Sequence, residues 1–346
     1  MSIPSLKSTW VTFALIAALT LVLATPATAT FPGKNGRIAF VLGPDIYTMN
    51  PDGSRIQQLT NLGPAGGAAF WQSWSPDGQK IVFDEYLPPN FSGQLWIMNA
   101  DGTQQRQLLS DPNFSDNAPS FSPDGALVVF TRCNSTGEGE CALSRADASD
   151  GGNLTQINRF GPAGSGVTDS EPKYSPDGTR IVFDSFFRGG IGGALYLVNA
   201  DGSHLHELTS PELGGTNPDW SPDGTKIVFS THCCNPQNPD LWTINPDGSG
   251  LTRINNTPQL DDFTASWSPE GDALFYEGDD SSTLAPALYV VNVNGNKLKQ
   301  ISVPSLVQHL HTVALPAKTN RGQGGIHPRK LVVSGGALPR WGPAPN

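Results

Sequence analysis

Residues able to do chemistry gather at one recurring place in this chain. Phe70, Trp71, Asp116, Asp169, Glu171, Asn217, Asp261 and Asp262 each stand a few positions ahead of an aromatic-Ser-Pro-Asp/Glu-Gly word. If those words share one architecture, five carboxylates converge on one mouth, where they would attract a divalent cation or a basic peptide. The competing reading is that they cap loop turns and stay solvated. Two His-x-His pairs, His204/His206 and His309/His311, offer a second chemistry, because alternate residues of a strand share a face and could touch one ion. A solvated edge strand that uses polar residues against mispairing explains His204 and His206 equally well. Nothing else in the sequence fits a known reaction centre. It contains no Gly-x-Ser-x-Gly elbow, no Cys-x-x-Cys, no His-Glu-x-x-His, no P-loop and no dinucleotide fingerprint.

The elements that position these residues are set by the words themselves. Trp74, Phe121, Tyr174, Trp220 and Trp267 each open one, at steps of 47, 53, 46 and 47 residues. Each word precedes an apolar run (IVFD, LVVFT, IVFD, IVFS, ALFYE), then a variable loop, then a second strand ending in a turn such as Asn-Ala-Asp-Gly. Proline presets φ for the first turn corner, aspartate suits the second and glycine takes the positive φ that follows. The nine Asp-Gly pairs are therefore turn chemistry and say little about an acidic site. Four antiparallel strands repeated at this interval make a propeller blade, and the absence of a 3.6-residue apolar period excludes a helical solenoid.

A partial unit precedes the first word, with Arg37–Val41 and Asp45–Gly53 but no innermost strand. Leu338-Pro-Arg-Trp341-Gly-Pro343 repeats the Pro-x-Trp-x-Pro spacing of Asn217–Pro222, so the C-terminus is expected to supply that strand. The expected fold is all-β: a six-bladed propeller over residues 30–346, closed by C-terminal pairing, with residues 303–336 as a long connection or cap.

Residues 1–29 read as a signal peptide. Lys7 precedes an apolar run from Trp10 to Ala24, and Ala27-Thr-Ala29 offers a cleavage site. That run is shorter than the roughly 20 residues that span a bilayer, so a secreted or periplasmic protein without a transmembrane anchor is expected. An oxidising compartment suits the cysteines. Cys133 and Cys141 flank a hairpin loop, and a disulfide between them would contribute about 2–3 kcal/mol. Cys233 and Cys234 are adjacent, and a vicinal disulfide, free thiols or a soft-metal site with His232 all remain open. The net charge of −10 and the lack of a basic block in the body of the chain argue against a nucleic-acid partner.

The ordered set of Aro-Ser-Pro-Asp-Gly, Ile-Val-Phe, Leu-Trp/Tyr-x-x-Asn-x-Asp-Gly and Leu-Thr resembles the TolB-like six-bladed propeller family, over about residues 36–302 and 337–343. The repeats follow the leader directly, without the N-terminal domain of TolB. The resemblance implies functions as diverse as periplasmic partners of envelope complexes, peptidase-attached propellers and polysaccharide lyases. Both kinds of conserved-looking turn fall on one face of the disc, and the varied loops fall on the other. The expected role is a monomeric, non-catalytic module that binds a protein or peptide through the varied face. The alternative is a metal-assisted polysaccharide lyase or hydrolase at the channel mouth. No resident cofactor is expected beyond a divalent cation there.

Overall fold

The computed structural model describes residues 32–134, 140–159, 161, 165–188, 193–231, 240–254, 260–280, 285–293, 299–301 and 340–344. The leader, residues 303–336, His309, His311, Cys233 and Cys234 lie outside them. Among the described residues the regular elements are all β-strands, the exception being one 3-10 turn at Gly63–Ala65.

The strands form antiparallel sheets in the order of the repeat. Unit 2 comprises Ala68–Trp74, Lys80–Tyr86, Gly93–Asn99 and Arg106–Leu109. Unit 5 comprises Gly215–Trp220, Ile227–Thr231, Leu241–Ile244 and Thr252–Arg253, and unit 6 comprises Leu260–Trp267, Ala273–Asp280, Ala285–Asn292 and Lys299–Ile301. In unit 1, Asn35–Leu42, Asp45–Met49 and Gln57–Gln58 are flanked by Arg340–Pro343, which runs antiparallel to Asn35–Leu42 with Trp341 opposite Ile38. The expectation of six separate blades needs correction here, since four sheets are four-stranded and one is eight-stranded. Unit 3 (Phe114–Phe121, Leu127–Asn134, Cys141–Asp147, Thr155–Gln156) and unit 4 (Thr168–Tyr174, Arg180–Phe186, Gly193–Asn199, His206–Glu207) merge. The join is a parallel pairing of Cys141 with Thr168, with Cys141 N–H donating to Val167 O at 3.2 Å.

The turn words fold for the reasons their residues suggest. Ser75 Oγ donates to Asp77 Oδ1 at 2.6 Å, the same oxygen accepts the Gln79 N–H at 3.0 Å, and Ser75 Oγ accepts the Lys80 N–H at 2.9 Å. Ser122/Asp124, Ser175/Asp177 and Ser221/Asp223 repeat the pattern. Unit 6 has glutamate in the aspartate's place, and there Ser268 Oγ donates instead to Asp272, at 2.8 Å. The second set of turns also packs between units. A Cβ at Gly151 would lie 2.3 Å from Leu108 O, and one at Gly202 2.3 Å from Ile157 O, so only glycine lets these turns rest on the preceding unit.

The second strand of each unit is buried on both faces, which is why it reads as a near-continuous apolar run. Phe40, Phe83, Phe130, Phe183 and Phe229, with Tyr276 at the same register in unit 6, are its largest recurring side chains. Among the described residues the core divides into six clusters, five of them joining consecutive units. The sixth unites unit 1 (Ile38, Phe40, Met49) with unit 6 (Phe275, Leu288, Ile301). The disulfide Cys133–Cys141 is formed across unit 3, with the two Cα atoms 4.1 Å apart.

Candidate functional site

Each first strand bends at one residue. Trp71, Ala118, Glu171, Asn217 and Thr264 all have left-handed φ, between 47° and 56°, and all lie three positions before the aromatic of their word. The register slips at each of these points, as a β-bulge requires. Holding a non-glycine residue there costs on the order of 1–3 kcal/mol, so the surrounding structure must secure it. Of the five, only asparagine has any intrinsic liking for this conformation. The fixed offset before the aromatic is the one sequence signal that marks the bend.

The bend is secured by the neighbouring unit. Asp84 Oδ2 accepts the Ala118 N–H at 3.1 Å, and Thr131 Oγ1 accepts the Glu171 N–H at 3.2 Å. Asp184 likewise accepts the backbone N–H of Asn217. Each acceptor is the polar residue ending an apolar run (IVFD, VVFT, IVFD) and reaches from one unit to the left-handed residue of the next. Sequence reasoning missed these acceptors, although a polar residue closing a doubly buried strand was a visible clue. Elsewhere the position holds Val41, Glu277, or Ser230, whose Oγ has no hydrogen-bond partner among the described residues.

The predicted mouth residues have distinct surroundings. Phe70 is half-buried, lies opposite Asp84 and meets Tyr86 edge-on at 5.8 Å. Trp71 is half-buried at the bend. Asp116 is buried in a bidentate pair with Arg132, both bonds 2.7 Å, and that guanidinium also lies 4.7 Å from the centre of the Phe114 ring. Burial pushes the Asp116 carboxyl up against the pull of Arg132. Asp169, also fully buried, accepts from Arg188, from Asn158 Nδ2 at 2.6 Å and from Ser185 Oγ at 2.5 Å. Solvated loop caps were one expectation for these two carboxylates, but the structure instead uses them to tie strands together. Glu171 accepts from Asn217 Nδ2, joining the bends of units 4 and 5. Asp262 is buried in the first strand of unit 6, and the Asp261 side chain lies outside the described residues.

Two groupings result. In units 4 and 5, Asp184 is held well above the carboxylate range, first by burial and then by the charges of Glu171 and Asp169, while Ser170 Oγ donates to it at 2.5 Å. In unit 2, burial pushes Asp84 up to about 7, and its Oδ1 has no hydrogen-bond partner among the described residues. The structure gives the two histidines of unit 4 a local role. Asn199 Nδ2 donates to His204 Nδ1 at 3.0 Å, and His206 Nδ1 lies 2.9 Å from His204 O. Among the described residues no three His, Cys, Asp or Glu side chains are grouped so as to hold a metal ion. None of the described helices is long and apolar enough to cross a membrane.

No family model matches the sequence. An uncharacterized protein of Agrobacterium fabrum, Atu1656, is 27% identical over 141 residues, 41% of this chain and 43% of that protein. The Tol-Pal system protein TolB of Nitratidesulfovibrio vulgaris is 31% identical over 97 residues, 28% of this chain and 19% of that protein. The chain thus matches less than half the length of either relative. Among solved structures, TolB from Acinetobacter baumannii superimposes with a TM-score of 0.66 at 21% identity, covering 91% of this chain and 69% of that one. A putative TolB from Agrobacterium tumefaciens gives 0.60 at 20% identity, with 77% and 88% covered. An oligogalacturonate lyase in complex with manganese gives 0.53 at 15% identity, with 75% and 70% covered.

Proposed function

We propose, from the premise that this chain has the TolB-like propeller fold, that it is a secreted or periplasmic, monomeric, non-catalytic module that binds a protein or peptide at the inner rim of its varied face. The observation that carries this reading is the set of five left-handed residues. One backbone device, braced from the neighbouring unit in three cases, sets Trp71, Ala118, Glu171, Asn217 and Thr264 at equivalent positions, of which Trp71 and Asn217 are half-buried and the other three buried. A repeated frame that holds different side chains at one rim suits recognition, because the backbone is ordered before a partner arrives.

The reading includes a closed ring of six blades, with the eight-stranded sheet counted as two. Support comes from the pairing of Arg340–Pro343 with Asn35–Leu42 and from the core cluster shared by units 1 and 6.

The test is capture from an extracytoplasmic extract by the wild-type protein and by Trp71→Ala and Glu171→Ala. A partner retained by the wild type and lost by both variants is the expected result. Stoichiometric metal in the purified protein that disappears in Glu171→Ala would overturn it in favour of the metal-assisted lyase or hydrolase.

A further inference from the structure

The opposite face, which carries the Ser-Pro-Asp-Gly turns, holds a pattern that the varied face does not explain. Where two units meet there, the aromatic of the later word forms a wall. Between units 4 and 5, Arg180 places its guanidinium 5.2 Å from the centre of the Trp220 ring. Between units 3 and 4, Arg145 Nη1 donates to Ala200 O at 2.8 Å. Burial raises the Tyr174 phenol at that junction, and the nearby charge of Arg145 opposes the shift. A guanidinium therefore occupies both junctions.

The junctions between units 2 and 3 and between units 5 and 6 lack one. Lys80 and Lys226 stand at the repeat position of Arg180, six residues after the aromatic of their words, while Ile97 and Thr243 stand at the position of Arg145. Both lysines turn back to their own unit, Lys226 Nζ reaching Asn245 Oδ1 at 2.7 Å and Lys80 Nζ reaching Asn99 Oδ1 at 3.4 Å. Open clefts remain, of about 590 Å³ between units 2 and 3 and about 550 Å³ between units 5 and 6. Each keeps the surroundings that receive arginine elsewhere. Phe121 or Trp267 forms the aromatic wall, and Ala148 or Val293 holds the place of Ala200. Carboxylates outnumber the single lysine in both, with Asp77, Asp124 and Asp147 in the first cleft and Asp223 and Glu270 in the second.

We propose that these two clefts are docking sites for arginine side chains of a partner chain, each taking a guanidinium against the aromatic wall as Arg180 does within the molecule. Ring faces attract a guanidinium, and its planar fork suits a carbonyl and a carboxylate together, whereas an ammonium is a compact, strongly hydrated charge. The clefts lie on the face opposite the varied loops, so this proposal stands or falls apart from the preceding one.

The experiment titrates the full-length mature protein with the capped tripeptides acetyl-Gly-Arg-Gly-amide and acetyl-Gly-Lys-Gly-amide, following the Trp267 indole N–H and the Gly125 amide by NMR. The arginine peptide is expected to shift both signals saturably and to bind at least fivefold more tightly than the lysine peptide. Lys80→Arg with Lys226→Arg places an internal guanidinium over each wall and should weaken binding at least fivefold. Lys80→Ala with Lys226→Ala should leave binding unchanged or tighter. Thr243→Arg, which copies Arg145 at the second cleft, should abolish the Trp267 response and spare Gly125. Absence of a saturable shift, equal binding of the two peptides, or full binding by the lysine-to-arginine variant would overturn the proposal.

Discussion

Carboxylates at the turns and carboxylates at the inner rim belong to one residue class but do opposite work. Asp52, Asp101, Asp201 and Asp247 are exposed in Asn-x-Asp-Gly turns, where hydrogen bonds from the serine or threonine two residues on hold them below the usual carboxylate range. Asp84, Asp116 and Asp184 are buried between strands, and burial raises all three. A turn carboxylate organises its own few residues and loses little hydration in doing so. A rim carboxylate joins distant parts of the chain and gives up water, so its cost depends on what replaces that water. Net charge therefore predicts neither role.

The contrast should be sharpest when a rim carboxylate loses its cation. Arg132→Ala leaves Asp116 buried without its bidentate partner, and chemical denaturation should show a loss of about 3–5 kcal/mol. A loss below about 1 kcal/mol would place Asp116 with the turn residues after all.

Asp84 tests the same idea through pH. Below about pH 3 the group is protonated both folded and unfolded, and it contributes no pH dependence. As pH climbs toward 7, only the unfolded chain has ionised it, so folding stability falls. The fall levels off above pH 7 at about 4 kcal/mol below the acid value, from the difference between about 7 and the ordinary 3.8. Asp84→Asn should remove most of this slope and make the protein more stable than wild type at pH 8, as read from melting temperatures across pH 4–8. Glu85, also pushed to about 7 by burial, leaves a residual slope in the same direction.

A covalent tie in place of an ionic one should have a smaller effect. Cys133→Ser with Cys141→Ser is expected to cost about 2–3 kcal/mol while leaving in place the Asp116–Arg132 pair, which joins the first and second strands of unit 3 where the disulfide joins the second and third. The smallest change should come from the turns. Asp77→Ala removes two accepted hydrogen bonds at an exposed corner, and about 1 kcal/mol is the expected cost. A cost as large as about 3 kcal/mol would break the division between the two regions.

The turns and the doubly buried strands were legible because their causes are local. A proline fixes one corner, a serine and an aspartate satisfy neighbouring N–H groups, and a glycine accepts positive φ, all within five residues. The partners of Asp116 and Asp169 were not legible. Arg132 and Arg188 lie 16 and 19 residues away from their carboxylates, and no spacing rule links an aspartate to an arginine across one strand pair. The braces on the left-handed residues were further from reach, because Asp84 and Ala118 are 34 residues apart in different units.

The sequence by itself determined the repeat, the turn chemistry and the buried second strands, since each follows from residue types in a short window. Only the tertiary structure decided which carboxylates became braces, that units 3 and 4 share one sheet, and which junctions already hold a guanidinium. Those outcomes depend on side chains from separate units meeting in a dry interface, where the partner at hand, rather than the residue type, sets the energy of a buried charge.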